Sequence, residues 1–181
     1  MYQEPSHIYS SYNVNNIGKT LYDTVRKLKP KKIIDFGLLY GYSTVCLAQA
    51  VRDNGFGEVL GYDLFEEYKY KKSIRSIVEY NLQYYQLNRY VTLVKKDYNK
   101  WLQENEEFDL LHLDISNTGD VINSIHQKHP DKKIIFEGGS VKRDDIDWVK
   151  KYKASPINPL QLSLNFKILN PNFPSLSGLN L

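Results

Sequence analysis

The stretch Ile33-Ile-Asp-Phe-Gly-Leu-Leu-Tyr-Gly-Tyr-Ser-Thr44 decides the fold. A short apolar run passes through a loop with glycines at 37 and 41 and enters a segment of helical spacing, Tyr42 to Arg52. Glycine lets the backbone take positive φ or approach a ligand closely, so the loop reads as a binding turn between a strand and a helix. Ser43, near the helix start, is expected to accept from the helix's free N–H groups. The remaining N–H groups would face a pocket for a small polar or anionic group.

The same alternation continues along the chain. Lys32-Ile-Ile-Asp-Phe36, Glu58-Val-Leu-Gly-Tyr-Asp63, Tyr90-Val-Thr-Leu-Val94, Phe108-Asp-Leu-Leu-His-Leu-Asp114 and Lys133-Ile-Ile-Phe-Glu137 are strand candidates bounded by turn or charged residues. Helical spacing marks Asn16 to Leu28, Tyr42 to Arg52, Lys71 to Leu87, Gly119 to Lys128 and Asp144 to Tyr152. In Lys71 to Leu87, the residues Ile74, Ile77, Val78, Leu82 and Tyr85 share one face. Repeated β-α-β crossovers give a mostly parallel sheet with helices on both faces. The tail differs: Leu160, Leu162, Leu164, Phe166 and Ile168 recur with period two, Asn170 to Pro174 reads as a turn, and Ser175 to Leu181 offers a second strand. An antiparallel hairpin is therefore expected to finish an α/β sheet.

Composition narrows the function. With 181 residues, 41% hydrophobic and 25% charged, the chain suits one domain, 1–181, whose first 29 residues form a lid and helix region. No apolar run approaches bilayer length, so no membrane partner is expected and the protein is expected to be cytoplasmic. The single cysteine, Cys46, fits a reducing compartment and a small buried core position. Net charge of +3 makes a nucleic-acid partner a minority reading, carried by Lys69, Lys71 and Lys72 with Tyr68 and Tyr70. The 15 tyrosines read first as compositional bias.

Acidic residues stand at or just beyond five successive strand ends: Asp35, Asp63, Asp97, Asp114 and Glu137. Ligands of open α/β sheets bind outside those carboxyl ends, and a carboxylate after the second strand can accept both ribose hydroxyls. The loop lacks G-x-G-x-x-G, which disfavours NAD. An acidic residue followed by G-x-x-x-G instead resembles motif I of the class I, Rossmann-like S-adenosylmethionine-dependent methyltransferases. Leu111-His-Leu-Asp-Ile-Ser, Ile134-Ile-Phe-Glu-Gly-Gly-Ser and Phe173-Pro-Ser-Leu-Ser look most like methyltransferase family 24, relatives of the macrocin and catechol-type O-methyltransferases.

That resemblance implies a three-layer fold with a seven-stranded sheet in the order 3-2-1-4-5-7-6. It implies S-adenosylmethionine as cofactor and a small-molecule or sugar hydroxyl as acceptor. Asp35 would hold the cofactor's amino group, the loop of Gly37, Leu38, Tyr40, Gly41, Tyr42 and Ser43 would curve beneath it, and Asp63 with Leu64 would meet the ribose. Asp97, Tyr98 and Asp114 would complete the cofactor site. For the acceptor's proton, His112, Asp114 and Glu137 are the candidate bases, the first two sharing a strand face. His112 also reads as a hydrogen-bonded residue packed beneath a helix. Catechol-type relatives hold magnesium with an aspartate and an Asp-Asn pair, but Gly138 stands where the amide should be, so no metal ligands are assigned. Lys142 and Arg143 read either as partners for an anionic acceptor or as the start of a solvated helix. The segment with Tyr2, His7, Tyr9 and Tyr12 reads as a lid or a frayed terminus. A homodimer stays open, as does a non-catalytic protein that keeps the fold.

Two other patterns carry less. Gly18-Lys19-Thr20 lacks the earlier glycine of a phosphate loop, and His126 with His129 lack a third ligand at metal spacing.

Overall fold

The computed structural model describes residues 1–69, 73–115, 118–146 and 159–181. Among them, strands β1 (Lys32–Phe36), β2 (Glu58–Asp63), β3 (Val91–Lys95), β4 (Leu110–Leu113), β5 (Lys133–Glu137), β6 (Lys167–Asn170) and β7 (Leu176–Leu179) form a seven-stranded sheet in the order β3-β2-β1-β4-β5-β7-β6. The first five pair in parallel, while β7 runs antiparallel to both β5 and β6. This is the expected Rossmann-like order with its reversed final hairpin.

Alternation along each strand feeds two cores. Ile33, Val59, Leu110 and Ile135 point to one face, while Ile34, Leu111, Ile134 and Phe136 point to the other. Helices α1 (Ile17–Leu28), α2 (Tyr42–Asn54) and α3 (Arg75–Tyr84) close the first face, and α5 (Gly119–Lys128) closes the second beside Trp101 of the short α4 (Tyr98–Trp101). A further single turn, α6 (Val141–Asp144), follows β5. In α1, Ile17, Leu21 and Val25 recur at four-residue spacing and are fully buried. Each such side chain contributes roughly 1.5–3 kcal/mol by leaving water. Residues Tyr42 to Val51 of α2 are all buried, because α1 and the N-terminal segment cover the side that the sheet does not. Cys46 is part of that core.

The N-terminal segment is packed rather than frayed. Ile8 and Tyr12 are buried. Gln3 and Gln49 exchange two hydrogen bonds, of 2.7 and 2.8 Å, and Glu4 accepts from the hydroxyls of Tyr2 and Tyr42. His7 sits between Asn81 and Tyr85 at 3.3 and 3.2 Å.

Three expectations need correction. The period-two run yields a strand only from Lys167; Pro159–Gln161 is a 3₁₀ turn, and Leu162, Leu164 and Phe166 lie partly buried over the second core. Alternation there arises from a loop laid across packed side chains. The helix expected from Lys71 begins at Arg75, since Ile74 is extended, and its inward face is Val78, Asn81 and Leu82, with Ile74 and Ile77 each 37% exposed. The helix expected over Asp144 to Tyr152 falls mostly on residues 147–158, outside the described residues. No helix among the described residues is long and apolar enough to cross a membrane.

Two contacts set the strand ends. A Cβ on Gly37, at φ +92°, would lie 2.1 Å from the Asp114 carbonyl oxygen, so the loop after β1 fits against β4 only without a side chain. Gly37→Ala is expected to lower unfolding free energy by at least about 2 kcal/mol in a urea titration, since left-handed strain and a backbone clash add. At the opposite ends of the strands, Glu106 accepts from Tyr62 at 2.7 Å, Lys32 at 3.0 Å and Trp101 at 3.1 Å. Burial opposes its charge, but these donors outweigh it and hold the carboxyl below the usual range. A lowered carboxyl pKa stabilises the fold above the ordinary value, near about 4, and that share fades as pH falls through the lowered one. Glu106→Gln should therefore cost about 1–3 kcal/mol at pH 7, and the gap from wild type should narrow in melts below about pH 4.

Candidate active site

In the sheet, β1 lies between β2 and β4, so the chain leaves β1 in one direction and later returns on its other side. A crevice opens at the carboxyl ends where that reversal occurs. It holds a cavity of about 500 Å³, within the usual range for small-molecule sites.

The loop after β1 forms its floor. Gly41 caps α2 at φ +84°, and its N–H donates to the Leu38 carbonyl at 2.7 Å. Gly37 donates to the Tyr62 carbonyl at 2.9 Å. Asp63, at the end of β2, accepts from the Leu38 N–H through one oxygen and the Phe65 N–H through the other, both at 2.7 Å. The carboxylate thus clamps the glycine loop to β2, and the Leu39 N–H adds a third backbone donor. Burial pushes the Asp63 carboxyl up, partly offset by those backbone donors.

Of the residues expected around a cofactor, Gly37, Leu38, Tyr40, Tyr42, Ser43, Asp63, Leu64, Asp97, Tyr98 and Asp114 line the cavity, as does Glu137. Asp97 also caps α4 by accepting from the Lys100 N–H at 3.1 Å. Burial, and then Asp120, push the Tyr98 phenol up to about 12, so it stays a donor at neutral pH.

Three expected residues are not among the lining. Gly41 packs against Val78, whose Cγ1 would be 3.0 Å from an added Cβ. Asp35 is fully buried and accepts from His112 Nδ1 and Thr44 Oγ1, each at 2.7 Å, and from Ser43 Oγ at 3.1 Å. Ser43 therefore donates to Asp35 rather than accepting from the helix end. His112 is fully buried, with its second nitrogen 3.3 Å from the Tyr12 hydroxyl. It meets Tyr12 and does not itself reach the cavity wall.

The lining also holds Tyr9, Ser10, Ser11 and Tyr12 from the N-terminal segment, Tyr68 and Lys96 from the loops after β2 and β3, and Asn99 from α4. Ser10 and Ser11 carry no local motif, since what brings them here is a fold contact with chain a hundred residues away. Glu137 pairs with Arg143 at 3.0 Å, with both side chains largely buried, so Arg143 does not begin a solvated helix. That ion pair and Gly138 make a poor donor set for a divalent ion. Among the described residues no cluster of three or more His, Cys, Asp or Glu is arranged to hold a metal.

Comparison with known proteins agrees with this architecture. The model of methyltransferase family 24, described as a methyltransferase domain, matches residues 34–146, more than half of the chain. No curated protein matches the sequence. The SAH-bound methyltransferase PaMTH1 of Podospora anserina superimposes with a TM-score of 0.64 at 18% identity, covering 94% of this chain and 78% of that one. The O-methyltransferase of Bacillus cereus in complex with SAH gives 0.61 at 18% identity, covering 97% and 83%. TomG of Streptomyces achromogenes, an O-methyltransferase of tomaymycin synthesis in complex with SAM, gives 0.59 at 14%, covering 96% and 81%. At such identities the likeness is one of fold, whereas the family match is one of sequence. The chain belongs to methyltransferase family 24, within the Rossmann-like methyltransferases whose cofactor is S-adenosylmethionine.

Proposed function

We propose that this protein binds S-adenosylmethionine in the crevice beside β1 and transfers its methyl group to a hydroxyl of a small molecule. The observation that carries the reading is the glycine loop clamped by Asp63 on the floor of the cavity where the strand order reverses. The donor set fits the cofactor. Asp63, Asp97, Asp114 and Glu137 face the cavity against Lys96, the single cation among its described lining residues, which suits a ligand carrying sulfonium and ammonium charges. With three backbone donors on its carboxylate, Asp63 still keeps an acceptor position for a ribose hydroxyl. When bound, the cofactor supplies an electrophilic methyl carbon whose bonding electrons return to sulfur.

The protein's own work is then to hold the acceptor oxygen in line with that carbon and to take its proton. Tyr9, Tyr40 and Tyr68 offer ring faces at the cavity wall for a compact acceptor. Asp114 and Glu137 stand at the adjoining ends of β4 and β5, and the Arg143 guanidinium offsets the charge of Glu137. Asp114 is the carboxylate assigned to the acceptor's side of the cavity. The N-terminal segment, which contributes Tyr9 to Tyr12, keeps bulk water from the reacting atoms.

Calorimetric titration with S-adenosylmethionine, and separately with S-adenosylhomocysteine, tests this. Wild type is expected to bind both, with Asp63→Ala weakening each at least about tenfold, equivalent to about 1.4 kcal/mol. Asp63→Asn, which keeps shape and some hydrogen bonding, should fall between. Absence of binding to the folded wild type would overturn the reading.

A further inference from the structure

A buried polar chain runs from the centre of the sheet to the cavity. Asp35, His112 and Tyr12 are 0%, 0% and 1% exposed, and they come from β1, β4 and the N-terminal segment. Asp35 Oδ1 is 2.7 Å from His112 Nδ1, and His112 Nε2 is 3.3 Å from Tyr12 Oη. Thr44 and Ser43 donate to the Asp35 carboxylate from the opposite side.

The hydrogen positions follow from charge. A carboxylate with no contact to water needs every donor within reach, so Asp35 requires the proton of His112 on Nδ1. A neutral imidazole so protonated presents a bare Nε2, which can only accept, and the Tyr12 hydroxyl is its neighbour. Tyr12 then donates to His112 and keeps its oxygen lone pairs for the cavity that it lines.

We propose that Tyr12, His112 and Asp35 form a proton-accepting relay that serves the acceptor hydroxyl. The idea rests on the methyl-transfer reading above. As the acceptor oxygen gives an electron pair to the methyl carbon, its O–H bond breaks and the proton passes to Tyr12 Oη. The original Tyr12 proton passes to His112 Nε2, leaving an imidazolium held by Asp35. No charge is lost or gained: the cofactor's positive charge disappears as the imidazolium's appears.

The surroundings favour passing a proton over storing negative charge on the phenol. Burial, followed by the charges of Asp114, Glu137 and Asp35, pushes the Tyr12 phenol well above its ordinary value. A free phenolate there is costly, whereas an imidazolium is welcomed by the same carboxylates. The groups facing the relay are Asp114 at the end of β4, Glu137 of β5 with its Arg143 partner from α6, and the ring of Tyr42 from α2, 6.3 Å from that of Tyr12. Asp114 also accepts from the Tyr12 hydroxyl; were that the proton's only place, Nε2 would carry a hydrogen of its own, and with Nδ1 already protonated toward Asp35 the ring would be an imidazolium unable to take another proton.

Nitrogen-15 NMR of histidine-labelled wild-type protein distinguishes these arrangements, since the shift of each ring nitrogen reports whether it carries hydrogen. The His112 ring is identified by its loss in His112→Gln or, should that variant not fold, as the ring moved by Tyr12→Phe. The expected result is a ring with hydrogen on Nδ1 and a bare Nε2 at neutral pH. Tyr12→Phe should move the Nε2 resonance and leave that of Nδ1 nearly in place, because it removes the partner of Nε2 alone. A ring protonated on Nε2 at neutral pH, or an Nε2 resonance that Tyr12→Phe leaves unmoved, would overturn the relay. S-adenosylmethionine titration of the same sample separates the two ideas: a wild type that does not bind sinks the methyl-transfer reading, whereas binding with the wrong tautomer sinks the relay alone.

Discussion

A carboxylate without water organises the centre of this protein. Asp35 is wholly buried in the middle of the sheet, where an unpaired charge would cost several kcal/mol. Its donors come from different elements: Ser43 and Thr44 from the first turn of α2, and His112 from β4. Satisfying one charge therefore fixes the angle at which α2 leaves the loop and the register between β1 and β4. His112 extends the network to Tyr12, so the N-terminal segment is tied to the same centre. Polar groups inside apolar packing define one arrangement among many of similar burial.

Around that centre the strand ends do a different kind of work. Asp63 spends three of its acceptor positions on backbone N–H groups, and this fixes the loop before any ligand arrives. Gly37 allows the loop to pass against the Asp114 carbonyl. The floor of the cavity is thus set by backbone, and its chemistry is set by side chains from five separate strand ends. A preformed floor reduces the ordering cost of binding.

Much of this was legible in the sequence. The parallel strands showed as short apolar runs, the loop as glycines at 37 and 41, and the strand-end acids as a recurrent position, because each depends on neighbours close in the chain. The role of Asp35 was not: spacing puts it at a strand end, but the face to which its side chain turns depends on where His112 lands from β4. Tyr12 was readable only as one of several aromatic residues in a covering segment. The period-two tail misled in a different way, since a loop draped over a core also alternates inward and outward residues. The start of α3 at Arg75 follows from the extended backbone of Ile74, which apolar spacing does not report.

The order β5-β7-β6 also bears on how the chain is made. β6 precedes β7 in sequence yet lies outside it in the sheet. During synthesis from the N-terminus, β1 to β5 can pair as they emerge, but β6 has no partner until β7 has been added. For that interval the edge of β5 and the whole of β6 carry unpaired N–H and C=O groups, the state in which sheets join wrong neighbours. Lys133 and Lys167, at the starts of those two strands, put like charges beside the open edges. Vectorial growth thus leaves a final insertion, one strand sliding between two that are already made.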